Sequence, residues 1–394
     1  SIGGYLSISN NSALTSLTGL ENLTSIGGYL QIKANNAMSS LTGLDNLTSI
    51  VDNLQIESNI ALTSLSALDN LTSIGGYLSI SNNSALTSLT GLENLPSIGG
   101  YLQIESNAAL TSMTGLNNLT SIGGKLSISL NNSLTNMTGL ENLTSIGVHL
   151  YIHSNNALTS LTGLDNLASI GAALHIHTNN TLTSLTGLDN LISIGDYLWI
   201  FANNSLTSLA GLEKLTSVGG IVRIGGIAAN QGNTALISLE GINNITASSI
   251  TTLYIRHNTS LSTCEVQSIC DYLVAPNGAV TISNNADGCN SQEQVIAACE
   301  TVGIEEAFAG SGFSVFPNPF TGQVKLEFNL PQTSMVSIQI FNTIGVKVAE
   351  LQHGQLPAGQ QQFTWHAGDL PRGLYFCKVH ASKETKTFKM IKVQ

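Results

Sequence analysis

The sequence predicts a mainly β chain. A parallel β solenoid with a short helical, disulfide-bonded cap comes first, and a small antiparallel β-sandwich follows. Three observations carry this. A 24-residue unit recurs nine times without a gap over residues 1–216. Four cysteines cluster within residues 264–299, after the last clear repeat. From residue 313 the repeat vanishes, and alternating strand patterns broken by Pro and Gly take its place.

A typical unit reads SIGGYLSISNNSALTSLTGLENLT. The tenth, Ser217–Thr246, is longer, with its extra residues in GGIAANQG (Gly225–Gly232). Further strands follow at LYIRHN (Leu253–Asn258) and VTISNN (Val280–Asn285). Every unit holds Leu-x-Ile-x-x-Asn, from Leu6, Ile8 and Asn11 to Leu253, Ile255 and Asn258. Alternation with period two makes this a short strand with Leu and Ile on one face. Elsewhere in the unit apolar residues fall every third position, as at Leu14, Leu17, Leu20 and Leu23. That spacing suits a tight polygonal coil. One coil cannot bury its apolar face alone, whereas stacked coils make a continuous core. At about 4.8 Å per coil, roughly a dozen coils give a rod on the order of 55 Å long. The solenoid is assigned to residues 1–260.

The recurring Asn (Asn11, Asn35 and onward) reads as a buried amide that bonds backbone groups of neighbouring coils and tolerates unusual dihedrals. The Gly pairs before the strand, such as Gly27-Gly28, read as tight-turn glycines.

Leu-x-Ile-x-x-Asn resembles the strand-and-ladder part of the leucine-rich repeat. LTGLENLTSIGGYLQI (residues 17–32) is similar to the repeats of receptor L domains. The resemblance covers residues 1 to about 260. It implies a right-handed parallel leucine-rich-repeat solenoid that binds a partner and performs no catalysis.

Composition narrows function. The chain is 42% hydrophobic but 5% aromatic and 9% charged, with a formal net charge of −11. That balance argues against nucleic acid, which requires basic patches. No apolar run is long enough for a transmembrane segment. The first residues already lie inside a repeat, so an export signal and an N-terminal cap are expected upstream.

CEVQSICDYL (264–273) and SQEQVIAAC (291–299) are the best helix candidates. They define a cap over residues 261–301. Its cysteines, Cys264, Cys270, Cys289 and Cys299, read as two disulfides with three possible pairings. Zinc is the alternative, but no Cys-x2-Cys pair is present. Residues 302–312 have the composition of a linker.

Residues 313–394 hold about seven short strands, which argues for a sandwich. FPNPF (Phe316–Phe320), IFNTIGVKV, LPRGLYFCKV and the terminal KMIKVQ resemble, in order, the type A C-terminal sorting domain of type 9 secretion. The resemblance implies that Pro317, Asn318, Pro319, Gly345, Gly373 and Tyr375 carry the sorting signal. It implies recognition by outer-membrane secretion machinery and export to the surface of a Gram-negative bacterium, usually with later removal of the domain. Cys377 stands where the family usually has an aliphatic residue.

Chemistry-bearing motifs are absent from the sequence: there is no nucleophile elbow, zinc-protease helix, P-loop or dinucleotide fingerprint. The expectation is a non-enzymatic protein without cofactor or metal. A column of carboxylates (Glu21, Asp45, Asp69, Glu93, Glu141, Asp165, Asp189, Glu213) reads as solvated side chains that accept backbone N–H bonds, with weak calcium binding as the lesser reading. Two Thr columns, headed by Thr15 and Thr18, raise ice binding as an alternative function. A scaffold for a missing upstream catalytic domain is another.

The outward positions of the strand carry the sharpest signal. Early coils place Tyr, Ser and Gln there. Coil seven supplies His149, Tyr151 and His153; coil eight His175 and His177; coil nine Tyr197, Trp199 and Phe201. Arg223, Tyr254 and Arg256 follow. In-register stacking makes these one patch, and exposed aromatics on a Ser-rich face suggest a contact site. The expected ligand is an extracellular glycan or protein, with flat sugar rings suited to Trp and Tyr. Zinc held by His153, His175 and His177 is the lesser reading.

Overall fold

The structure, a computed structural model, describes residues 1–301, 314–330, 333–381 and 384–393. The expected linker at 302–312 lies outside the described residues. The chain separates into two compact units, Ser1–Ile296 and Ala297–Gln394.

In the first unit the strand Leu6–Ser9 pairs in parallel with Leu30–Lys33, Leu opposite Leu and Ile opposite Ile. This pairing repeats to the strand Val280–Ser283, giving a twelve-stranded parallel sheet. Just ahead of each main strand, two-residue strands from Ser25–Ile26 to Ser217–Val218 form a second, nine-stranded parallel sheet. The inward column is sealed: Leu102, Ile104, Leu126, Ile128, Leu150 and Ile152 are 0% exposed. A slip of one residue would turn these side chains to water, so burial fixes the register.

The Asn column is a continuous hydrogen-bond ladder. The Oδ1 of Asn131 accepts from the backbone N–H of Asn107, 3.0 Å away, and its Nδ2 donates to the Ile104 carbonyl at 2.9 Å. The same pattern joins Asn155, Asn179 and Asn203. In the long tenth coil Asn233, beyond the insertion, takes the position, and the ladder continues through Asn258 and Asn285 to Asn290. The insertion therefore bulges outward without breaking the stack.

Two backbone assignments differ from the sequence reading. The left-handed residue is not the ladder Asn but the one before it: Ala34, Ser58, Leu130 (φ 59°) and Thr178 (φ 57°) all adopt it. Side chains other than Gly and Asn resist this region. Here it swings the chain out of the strand so that the next amide enters the ladder. The Gly pairs, in turn, do not have positive φ. At the first position of the pair close approach favours Gly: a Cβ on Gly147, which stands there in coil seven, would sit 2.1 Å from the Gly123 carbonyl oxygen of the coil below. Positive φ instead belongs to the Gly of Thr-Gly-Leu, as at Gly139 (φ 110°). In the third coil Ala67 stands there, and the backbone forms a 3-10 turn over Ser66–Leu68 instead.

The carboxylates cap these glycines. Gly163 N–H donates to Asp165 and Gly187 N–H to Asp189, each at 2.7 Å. The following Asn forms a second ladder, with Asn166 Nδ2 donating to the Glu141 carbonyl of the coil below.

Helix α1 (Gln267–Val274) and helix α2 (Gln292–Thr301) flank the last strand of the long sheet. Ser268 of α1 donates to the Ile242 carbonyl at 2.6 Å, which docks the helix on the solenoid. Cys264 is bonded to Cys289 with Cα atoms 5.7 Å apart, and Cys270 and Cys299 are also in disulfide linkage.

In the second unit seven strands form two antiparallel sheets. Ser314–Phe316, Gln323–Leu330 and Gly359–His366 make one. Lys347–Leu356, Ser334–Asn342, Gly373–Ala381 and Glu384–Lys392 make the other. Val324, Leu326, Ile338, Ile340, Trp365 and Met390 are among the buried residues of their shared core. Cys377 lies in it as a free thiol, pushed up to about 12 by burial, so it behaves as a small hydrophobe.

Candidate functional site

The twelve-stranded sheet presents one continuous outer wall, and its chemistry changes along its length. At the early coils the wall side chains pair with one another: Gln31 donates to Gln55, Lys33 pairs with Glu57, and Tyr77 stacks on Tyr101. Ser127 and Ser129 then stand opposite Tyr151 and His153, where the aromatic region begins.

Beyond that point Tyr151, His175, Trp199, Arg223 and Tyr254 occupy one row on five consecutive strands. His153, His177 and Phe201 form a parallel row. The ring of His149 lies 5.2 Å from Tyr151, and that of Tyr197 lies 5.3 Å from His175. Arg256 closes the region opposite Ser283. The structure thus brings every strand-face candidate onto one wall.

Ring geometry decides what this wall can do. His153 and His177 stack at 4.7 Å with planes 4° apart, and Phe201 continues the stack at 4.4 Å. In the other row His175 meets Tyr151 and Trp199 edge to face, at 73° and 83°. The Arg223 guanidinium lies between two rings, 4.9 Å from the centre of Trp199 and 4.4 Å from that of Tyr254. In these contacts ring faces and edges are both turned against neighbouring side chains of the wall. Strand spacing near 4.8 Å leaves little more than a ring's thickness between neighbours, so each ring covers the next. The side chains are half-buried.

Burial also sets protonation. His175 and His177 are each lowered to about 4, first by burial and then by neighbouring positive groups, which for His175 include Arg223. Burial lowers His153 as well. Near neutral pH His175 and His177 are therefore neutral, and the charge in this part of the wall comes from Arg223 and Arg256. The three-imidazole reading does not fit this arrangement. Two of the rings stack in parallel, and the third is turned against Trp199. Such rings do not converge on one point, as tetrahedral zinc requires. Among the described residues no group of three or more His, Cys, Asp or Glu could hold a metal.

The sequence reading missed two contributors. His257, with φ 64°, is buried beside Arg256, and its Nε2 has no hydrogen-bond partner. Gln231 pins the insertion beside the wall: its carbonyl accepts from Ala202 N–H, and its Oε1 accepts from Ile227 and Ala228. Ile227 is left 61% exposed at the loop tip. The unusual length of the tenth coil was the available signal for this rail. The Thr columns, by contrast, spend hydroxyls inside the protein, as where Thr159 donates to the Thr135 carbonyl and Ser160 to Thr162.

In the sandwich unit Asn318, one of the residues expected to carry the sorting signal, ties the segment after the first strand to the last strand. Asn318, between Pro317 and Pro319, donates to the Lys389 carbonyl and accepts from Ile391 N–H. Lys392 is 5% exposed and donates to the carbonyls of Gly368 and Leu370. Tyr375 donates to the Pro371 carbonyl at 2.6 Å and packs its ring against Trp365. Gly345 (φ 77°) forms a hairpin turn, and Gly373 (φ 145°) opens the strand that carries Tyr375.

Two family models match the chain. The receptor L domain matches residues 48–114 and 96–190, and the secretion system C-terminal sorting domain matches residues 314–394. No curated protein matches it. The receptor L match ends before Trp199, so the Trp and Arg part of the wall lies beyond it. Among the described residues no helix is long and apolar enough to cross a membrane. The chain carries a leucine-rich solenoid of the receptor L kind and a type 9 sorting domain that directs its export to the cell surface or extracellular space of a Gram-negative bacterium.

Proposed function

We propose that the protein is a non-enzymatic binding or adhesion protein that engages an extracellular glycan or protein through the solenoid wall of coils seven to eleven. One observation carries this reading. Aromatic, His and Arg side chains are gathered on adjacent strands of a wall that is otherwise mostly Ser, Gln and Tyr with Lys33, Glu57, Glu105 and Lys125, and the register makes them contiguous. The wall is rigid, since each strand is held by both neighbours and by the Asn ladder beneath. A preorganised surface loses little entropy on binding. Aromatic and Arg side chains are also the types that dominate contact energy.

Trp199→Ala combined with Phe201→Ala tests the reading on glycan and protein arrays. The wild-type chain is expected to bind a defined subset, and the double variant to bind that subset at least about tenfold more weakly. Circular dichroism should show the same fold, because both side chains point away from the core. Equal binding by the two proteins would overturn the proposal.

A further inference from the structure

Of the thirteen Lys and Arg residues in the chain, five lie in residues 1–296: Lys33, Lys125, Lys214, Arg223 and Arg256. Lys33 pairs with Glu57, Lys214 donates to Asn190, and Lys125 lies over Tyr101. Arg223 and Arg256 are different. They sit on neighbouring strands at one end of the aromatic wall, and neither has a hydrogen-bond acceptor or ion-pair partner among the described residues. In a chain of net charge −11, two unpaired guanidiniums on neighbouring strands are a local reversal of sign.

Their setting prepares them for anions. Trp199 and Tyr254 cover the two faces of the Arg223 guanidinium. Stacking uses the faces and leaves the in-plane N–H edge free, the edge that carboxylate and sulfate oxygens bind in pairs. Tyr151, Tyr197 and Tyr254 contribute hydroxyls suited to a polyhydroxylated partner.

The position in the sheet argues for a saccharide over a peptide. An extended peptide adds a strand to a free sheet edge, but these strands lie inside the order of the sheet, paired on both sides. No hydrogen-bonding edge is open here.

We infer that the ligand of this wall is an acidic polysaccharide whose carboxylate or sulfate groups are bound by Arg223 and Arg256. The inference rests on the reading of the wall as the binding surface and adds the chemical class.

Binding of the full chain to immobilised polygalacturonate, dextran sulfate, neutral dextran and poly-glutamate tests it. Wild-type protein is expected to bind at least one of the two acidic polysaccharides and not dextran. The two acidic arms separate carboxylate from sulfate. Raising salt from about 50 to about 500 mM should weaken this binding, because screening shortens the reach of surface charge. Arg223→Gln with Arg256→Gln should lose at least about tenfold, and the Arg→Lys pair should lose less, since it keeps charge without the planar fork. Thermal melts of the variants establish that the solenoid is intact. Full binding by the Gln pair, salt-insensitive binding, preference for poly-glutamate, or binding to neither acidic polysaccharide would overturn the inference. If Trp199→Ala/Phe201→Ala loses an array ligand that the Gln pair retains, the wall stands as a binding surface and only the acidic class fails. If neither variant loses it, both fail.

Discussion

A chain truncated before residue 314 is expected to accumulate in the periplasm, with surface display and release into the medium lost. The sorting domain matches over its whole described sandwich, and its features form one unit: Asn318 is bonded to Lys389 and Ile391 near the C-terminus. Asn318→Ala is therefore expected to weaken export as well, through loss of both bonds. Fractionation with immunoblotting of periplasm, outer surface and medium checks the effect. Normal display of the truncated chain would show that export does not depend on this domain.

Asn131→Ala should be the most damaging single change in the solenoid that leaves its apolar core untouched. The side chain accepts from Asn107 N–H and donates to the carbonyls of Ile104 and Ser129. All of these groups are buried. A buried polar group without a partner costs about 1–3 kcal/mol, and Asn107 N–H and the Ile104 carbonyl both lose one, so a loss of about 3 kcal/mol is expected. Asn156→Ala, one position beyond the ladder in an exposed column, should stay within about 0.5 kcal/mol of wild type. Urea denaturation followed by circular dichroism distinguishes the two. Equal stability of Asn131→Ala and Asn156→Ala would mean that the ladder does not hold the coils.

Much of the fold was legible because one 24-residue unit is solved nine times over. The Leu-x-Ile pair must face inward in every coil, and the ladder Asn must follow it, so strand positions and register could be read directly. The seven strands of the sandwich were equally plain from alternation. The left-handed position before the ladder Asn was not. It is Asn at Asn10, Asn82 and Asn284 but Ala, Ser, Leu, Thr or His in the other coils, so no shared residue type announces the unusual φ. The role of Gly147 was hidden for another reason: its constraint comes from the coil below, 24 residues away. The Gly of Thr-Gly-Leu was within reach, since Ala67 is a conspicuous exception among the regular coils.

The wall divides in the same way. Which residues share it follows from the period alone, and Tyr151, His175, Trp199 and Arg223 stand in one row. How their rings meet depends on rotamers, and these are set by crowding between neighbouring strands. That crowding stacks His153, His177 and Phe201 and sets His175 edge to face with Tyr151 and Trp199.

All of this depends on side chains 24 residues apart in sequence being adjacent in space. NMR cross-relaxation between the ring protons of His153 and His177, and of His177 and Phe201, measures that adjacency directly. Ring centres at 4.7 and 4.4 Å predict strong cross-peaks for both pairs in the folded protein. Absence of both in a well-dispersed spectrum would contradict the stacked wall and every functional reading built on it.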